Sequence, residues 1–186
     1  FLCSAEESTA WPMVTKPPYA GGLGFDYKWD MGWMNDTLHY MQDDPVYHPY
    51  HHNALTFSMM YAFSEDFVLP LSHDEVVHGK RTLLAKMPGG YRAQFAQLRL
   101  LLGYQFTHPG KKLYFMGTEL SPFQEWRFYE SLEWHLLSFD QHRGIQNYCR
   151  TLNHFYTSHP ALYARDDSWD GYLWLNANDA DPSVLS

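Results

Sequence analysis

Cysteine is almost missing from this chain of 186 residues. Cys3 and Cys149 are too few for a disulfide framework, and nothing in the sequence pairs them. A reducing compartment, the cytoplasm, is the simpler expectation. Basic residues are scarce too: 13 Lys and Arg stand against 21 Asp and Glu, a net charge of -8. No basic cluster offsets this, so the chain lacks the positive face that a nucleic-acid partner requires. No apolar run approaches the ~18–20 residues of a membrane span. The short apolar "FLCSA" (1–5) has no basic stretch before it and does not read as a signal peptide. Low-complexity tracts and an initiator Met are also missing. The chain opens directly in strand-like sequence and reads as a piece of something longer.

Apolar and aromatic side chains are abundant: 45% of residues are hydrophobic, with 7 Trp, 14 Tyr and 12 Phe. That is enough for a substantial core in a chain of this length. Aromatic rings also build the stacking walls of sugar and nucleobase sites. Three apolar runs share one design. "FLCSA" leads into Glu6-Glu7, "FVLPL" (67–71) into Ser72-His73-Asp74-Glu75, and "LYFMG" (113–117) into Thr118-Glu119. Continuous apolar runs read as strands of a parallel sheet, buried on both faces. Acids at their carboxyl ends stand where α/β folds place their sites.

Helical patterns separate the runs. Phe95, Leu98, Leu102 and Phe106 recur at spacings of three and four within residues 90–110, which Pro109-Gly110 closes. Residues 34–41 form a shorter helix candidate. Residues 144–163 place Ile145, Tyr148, Leu152, Phe155 and Tyr156 on one stripe. Residues 24–29 are read as a strand. After residue 168, alternating aromatics, the turn-like "NANDADP" and then "SVLS" predict a β-hairpin of a different module. An eight-stranded βα barrel takes ~250 residues. About four strands therefore predict half of such a barrel, running into the start of an all-β domain.

Within "LPLSHDEVVHGK" (69–80), His73, Asp74 and Glu75 arrive together, with His78 close behind. His73-x-Glu75 opens like a zinc deaminase signature, but the Pro-Cys-x-x-Cys half is absent. His73 and His78 stand five apart, not the four that would share a helix face with Glu75. His48, His51 and His52, in "YHPYHH", read as a Pro- and Tyr-rich loop rather than a zinc site. A His-Asp pair at a strand end can also simply satisfy backbone donors or cap a helix. The second acid, at the end of the first strand, favours another reading. Two acids converging on one barrel mouth suit glycosidic chemistry, in which one carboxylic acid protonates a leaving oxygen.

Five stretches, "AEEST" (5–9), "GGLGFDYKWDMGWMNDTLHYM" (21–41), "DPVYHPYHHNALTF" (44–57), "LPLSHDEVVHGK" (69–80) and "PGKKLYFMGTEL" (109–120), strongly resemble the 1,4-α-glucan (glycogen) branching enzymes. These belong to the α-amylase superfamily, glycoside hydrolase family 13. The resemblance covers essentially the whole chain. It implies an α/β fold: the C-terminal half of a (β/α)8 TIM barrel (strands five to eight, residues 1–165), then the start of a C-terminal β-sandwich (166–186). It also implies transfer of α-1,4-glucan chains to form α-1,6 branches, with α-glucan as the partner and neither metal nor cofactor.

Residue by residue, Glu6 resembles the family's general acid/base, Asp74 its transition-state stabiliser, and His73 the histidine beside it that contacts sugar. Glu7, beside Glu6 on a strand, is expected to point the other way and to be structural. Trp29, Trp33, Tyr47, Trp126 and Trp134 are candidates to stack on glucose, Trp126 foremost. Lys80 and Glu119 are candidate sugar contacts. The family's nucleophile, an Asp in a Gly-x-Arg-x-Asp-Ala string, has no match in these residues, and neither has its Asn-His motif. Another α-amylase relative, or a non-catalytic glucan-binding relic, stands as the rival reading.

Overall fold

The computed structural model describes residues 1–180. Four strands, β1 (Ser4–Ala5), β2 (Tyr27–Trp29), β3 (Phe67–Leu71) and β4 (Lys111–Tyr114), form one parallel sheet in sequence order. Ala5 lies opposite Lys28, Trp29 opposite Val68, and Leu71 opposite Tyr114. Helix α1 (Met31–Gln42) follows β2, α2 (Tyr91–Thr107) joins β3 to β4, and α3 (Asp140–Ser158) follows β4. This is an α/β fold consistent with part of a barrel. Because the strands are parallel, all four carboxyl ends open on the same side.

The local reasons are visible in the chain. Asp30 caps α1, its carboxylate accepting the Trp33 N–H at 2.8 Å. Trp33, Met34, Leu38 and Met41 then recur at helical spacing and are buried against β3 and α2. In α2, Phe95, Leu98, Leu101 and Leu102 are fully buried, and Ile145 and Cys149 of α3 complete the same core. The side-chain amide of Gln105 donates at 2.9 Å to the carbonyls of both Leu69 and Leu113, tying α2 to two strands. Pro70 is tolerated in the central strand β3 for a positional reason. Its missing N–H falls on the side of β2, which has already ended at Trp29.

Several expectations shift. The fourth strand starts two residues before the apolar run, at Lys111, and ends at Tyr114, because the ladder with β3 sets its limits rather than its hydropathy. The second strand is only Tyr27–Trp29, and the last helix runs Asp140–Ser158 and stops short of Pro160. β1 is not buried on both faces: Ser4 is exposed and Ala5 half-exposed, since among the described residues β1 pairs only with β2. The expected hairpin finds no strand in residues 172–180. A single 3-10 turn, Trp169–Gly171, precedes them, and "SVLS" lies outside the described residues. Cys3 is exposed and Cys149 buried, both free thiols.

Candidate active site

Chain leaving β3 turns at once. The Ser72 hydroxyl accepts the Asp74 N–H at 3.1 Å, and the Glu75 carboxylate accepts the Ser72 N–H, closing a capping box around a 3-10 turn at His73–Glu75. Glu75 is buried and spent on that turn. His73 and Asp74 are thereby turned outward, each about half exposed, with His73 Nε2 3.4 Å from Asp74 Oδ1. The His73 ring lies 6.0 Å from that of Trp126 and 5.9 Å from Phe115, and these two meet edge to face at 5.0 Å. Trp126 itself is pinned by its N–H, which donates to Val76 O at 2.9 Å. The structure thus brings His73, Asp74 and Trp126 together.

Glu6 stands one residue beyond β1. It is exposed, and its carboxylate makes no hydrogen bond or ion pair among the described residues. β1 and β3 flank β2, so Glu6 and Asp74 leave the same end of the sheet from strands about two spacings, ~9.5 Å, apart. Glu7 is occupied differently. It pairs with the buried Lys28 at 2.9 Å and accepts the Thr9 N–H at 2.7 Å. Hydrogen bonding from Thr9, with the Lys28 ammonium second, holds its carboxyl down at about 2.

The other candidates separate. Lys80 is exposed and Glu119 half-buried, and neither bonds to Glu6, His73 or Asp74. Trp33 is withdrawn from any sugar-binding role: it is fully buried and stacked 6.0 Å from Tyr104. Tyr47 and Trp134 are exposed, and Trp29 is half-buried. The histidines of "YHPYHH" take unrelated partners. His48 stacks on Tyr40 at 4.1 Å, His51 meets Asp43 at 2.5 Å, and His52 reaches Ala177 O at 3.2 Å. Among the described residues, no three His, Cys, Asp or Glu side chains gather as metal ligands. Beside Glu7 lies a cavity of about 590 Å³, lined in part by Lys28, Trp29, Asp30 and Tyr61. Burial raises the carboxyl of Asp30 to about 6 there.

No family model matches the chain. Individual curated proteins do. It is 57% identical over 185 residues, its whole length, to the protein named 1,4-alpha-glucan branching enzyme GlgB of Halothermothrix orenii. Against the GlgB of Aquifex aeolicus it is 59% identical over 182 residues, 98% of the chain. Against that of Nitrosomonas europaea it is 58% identical over 185. End to end, the chain is homologous to 1,4-α-glucan branching enzymes. It spans 25–29% of the length of these relatives.

Sequence reasoning passed over three residues whose side chains bond to the backbone near these motifs. Lys28, Lys86 and Glu125 each bind several backbone groups. A lysine inside an apolar stretch, as in "TLLAKM" (82–87), is the signal that could have drawn notice, since a buried ammonium must find acceptors. Glu125 carried no such signal. Its partners lie 44 and 46 residues away along the chain. Among the described residues, no helix is long and apolar enough to cross a membrane.

Proposed function

We propose that residues 1–165 are the carboxyl half of the catalytic barrel of a cytoplasmic 1,4-α-glucan branching enzyme, with 166–186 opening its C-terminal β-domain. The observation that carries this reading is identity of 56–59% to curated branching enzymes over all or nearly all of the chain. The geometry supports it. Glu6, His73 and Asp74 lie beyond the carboxyl ends of parallel strands, the position at which α/β barrels carry their catalytic groups.

In this reading Glu6 donates a proton to the glycosidic oxygen as the α-1,4 bond breaks. It then takes a proton from the 6-hydroxyl of the acceptor glucan as the α-1,6 bond forms. Its exposure, free of competing partners among the described residues, leaves both lone pairs and proton available for that cycle. Asp74 hydrogen-bonds the distorted sugar and offsets the positive charge that develops on it. His73 contacts the same sugar, and Trp126 stacks on a ring. Lys80 and Glu119 serve as outer sugar contacts. The exchange of one acetal for another is redox-neutral, so no electron-carrying cofactor enters it. The nucleophilic Asp comes from the part of the barrel that precedes β1, because residues 1–186 hold no Gly-x-Arg-x-Asp-Ala string. Residues 1–186 alone therefore neither cleave nor branch amylose.

The test uses the full-length protein with linear α-1,4-glucan. Appearance of α-1,6 linkages, with anomeric configuration retained, supports the reading. Linear products alone point to a hydrolase or chain-lengthening relative instead.

A further inference from the structure

The loop after β3 is gripped from two sides. From inside, the buried ammonium of Lys86 donates to Glu75 O at 2.7 Å, to Arg81 O at 3.0 Å and to Lys80 O. From outside, the Glu125 carboxylate accepts the Gly79 N–H at 3.0 Å and the Arg81 N–H at 2.7 Å, with His78 Nδ1 3.4 Å away. Arg81 is thus held at both its N–H and its C=O. It needs to be, because its φ of +62° is left-handed, a conformation that costs a non-glycine residue and persists only where neighbours impose it. The residue next to Glu125 continues the grip, through the Trp126 N–H on Val76 O at 2.9 Å. The Val76 N–H in turn bonds His73 O at 3.0 Å.

We propose that Glu125 and Lys86 are positioning residues, a two-sided clamp on residues 75–81 that fixes the His73–Asp74 turn and locks it to the loop carrying Trp126. This rests on the glucan-transfer reading above and goes beyond it. Neither side chain needs to touch sugar. Lys86 is buried beneath the loop, and both Glu125 oxygens are committed to backbone amides. Each acts by restricting where the Asp74 carboxylate sits relative to the reacting carbon. Small displacements of a catalytic group cost rate rather than affinity. The two loops thereby move as one unit, so the stacking ring and the charge-stabilising carboxylate approach the substrate together.

The test compares Glu125→Ala, Glu125→Gln, Lys86→Met and Lys86→Arg in the full-length protein, with Glu130→Gln as an exposed control outside the clamp. Branching kinetics on linear α-1,4-glucan are measured alone and in an Asp74→Asn background, together with amide exchange at Gly79 and Arg81. The clamp predicts a kcat loss of about tenfold or more for Glu125→Ala, with KM changed less than about threefold. It also predicts partial rescue in Lys86→Arg, faster exchange at both amides, and no further loss once Asp74 is already Asn. An unchanged kcat, a rise in KM alone, or a full additional loss in the Asp74→Asn background overturns it. Should Lys86→Met fail to fold, the two Glu125 variants decide. A wild type that forms no α-1,6 linkages overturns the glucan-transfer reading. The clamp is then judged by exchange, and unchanged rates at Gly79 and Arg81 sink it.

Discussion

Lys28 Nζ lies 2.9 Å from Glu7 Oε2 and also donates to the carbonyls of Thr9 at 3.0 Å and Trp11 at 3.1 Å. One lysine of β2 therefore anchors the segment that leaves β1, while the adjacent Glu6 stays unbound among the described residues. Two neighbouring glutamates, alike on paper, thus sit in different surroundings, one paired with a buried ammonium and the other not.

The first prediction separates them. In the full-length protein, Glu7→Gln should leave branching within a few-fold of wild type, whereas Lys28→Met should lower Tm by roughly 3–8 °C through unmet backbone acceptors. The pH dependence has a definite sign. Because the folded Glu7 carboxyl is held at about 2 against 4.5, its contribution is present above pH ~4.5 and is lost as pH falls towards 2. The Tm gap between wild type and Glu7→Gln should close over that interval. A gap that is constant from pH 7 to 2 would contradict the ion pair.

Asp30 should behave in the opposite sense. Burial raises its carboxyl from 3.8 to about 6, so folding is favoured with Asp30 protonated. The contribution is full below pH ~3.8 and disappears as pH rises through 6. Asp30→Asn keeps an oxygen to cap α1 and removes the charge. Relative to wild type it should gain stability between pH 4 and pH 8, on the order of 3 kcal/mol. Thermal melts of both proteins across that range measure it, and a parallel pair of curves would refute the burial argument.

Trp126 offers a test of sugar contact. Its ring packs against Phe115 and His73, and the residue is half-buried. Loss of one aromatic stacking contact, ~0.5–1.5 kcal/mol, corresponds to a two- to twelvefold effect. Trp126→Ala should raise KM for α-glucan by that factor, and Trp126→Phe should recover most of it. Equal KM in all three proteins would remove Trp126 from the site.

Residues 1–186 on their own should be poorly soluble or self-associating. Among the described residues β1 and β4 each have one unpaired edge, and Phe1, Leu2 and Trp11 are exposed. Such edges and patches recruit other chains. Size-exclusion chromatography and calorimetry check this. A monomer with a sharp cooperative melt would argue that the sheet is complete as it stands.

The sheet and its helices were legible because apolar runs and 3.6-residue periodicity reflect burial directly. β3 and α2 show this best: Leu69, Leu71, Phe95, Leu98 and Leu102 mark their buried faces in both sequence and structure. Motif resemblance pointed to Glu6, His73 and Asp74, and the structure sets His73 between Asp74 on one side and the Trp126 ring on the other. What stayed hidden is long-range. Nothing near Trp33 in sequence says that Tyr104 covers it. Nothing near Glu125 says that it holds amides 44 and 46 residues away. The aromatic alternation after residue 168 suggested strands, but alternation alone cannot supply a pairing partner, and residues 172–180 have none among the described residues.

Glu6→Gln in the full-length protein tests the central claim most directly, with α-1,6 linkages counted after incubation with linear α-1,4-glucan. Gln keeps the size and hydrogen bonding of Glu6 but cannot cycle a proton. Cleavage and branch formation should fall together by ~10²–10⁴ while Tm stays near that of wild type. A normal branching rate in Glu6→Gln, from a protein that melts like wild type, would contradict the account.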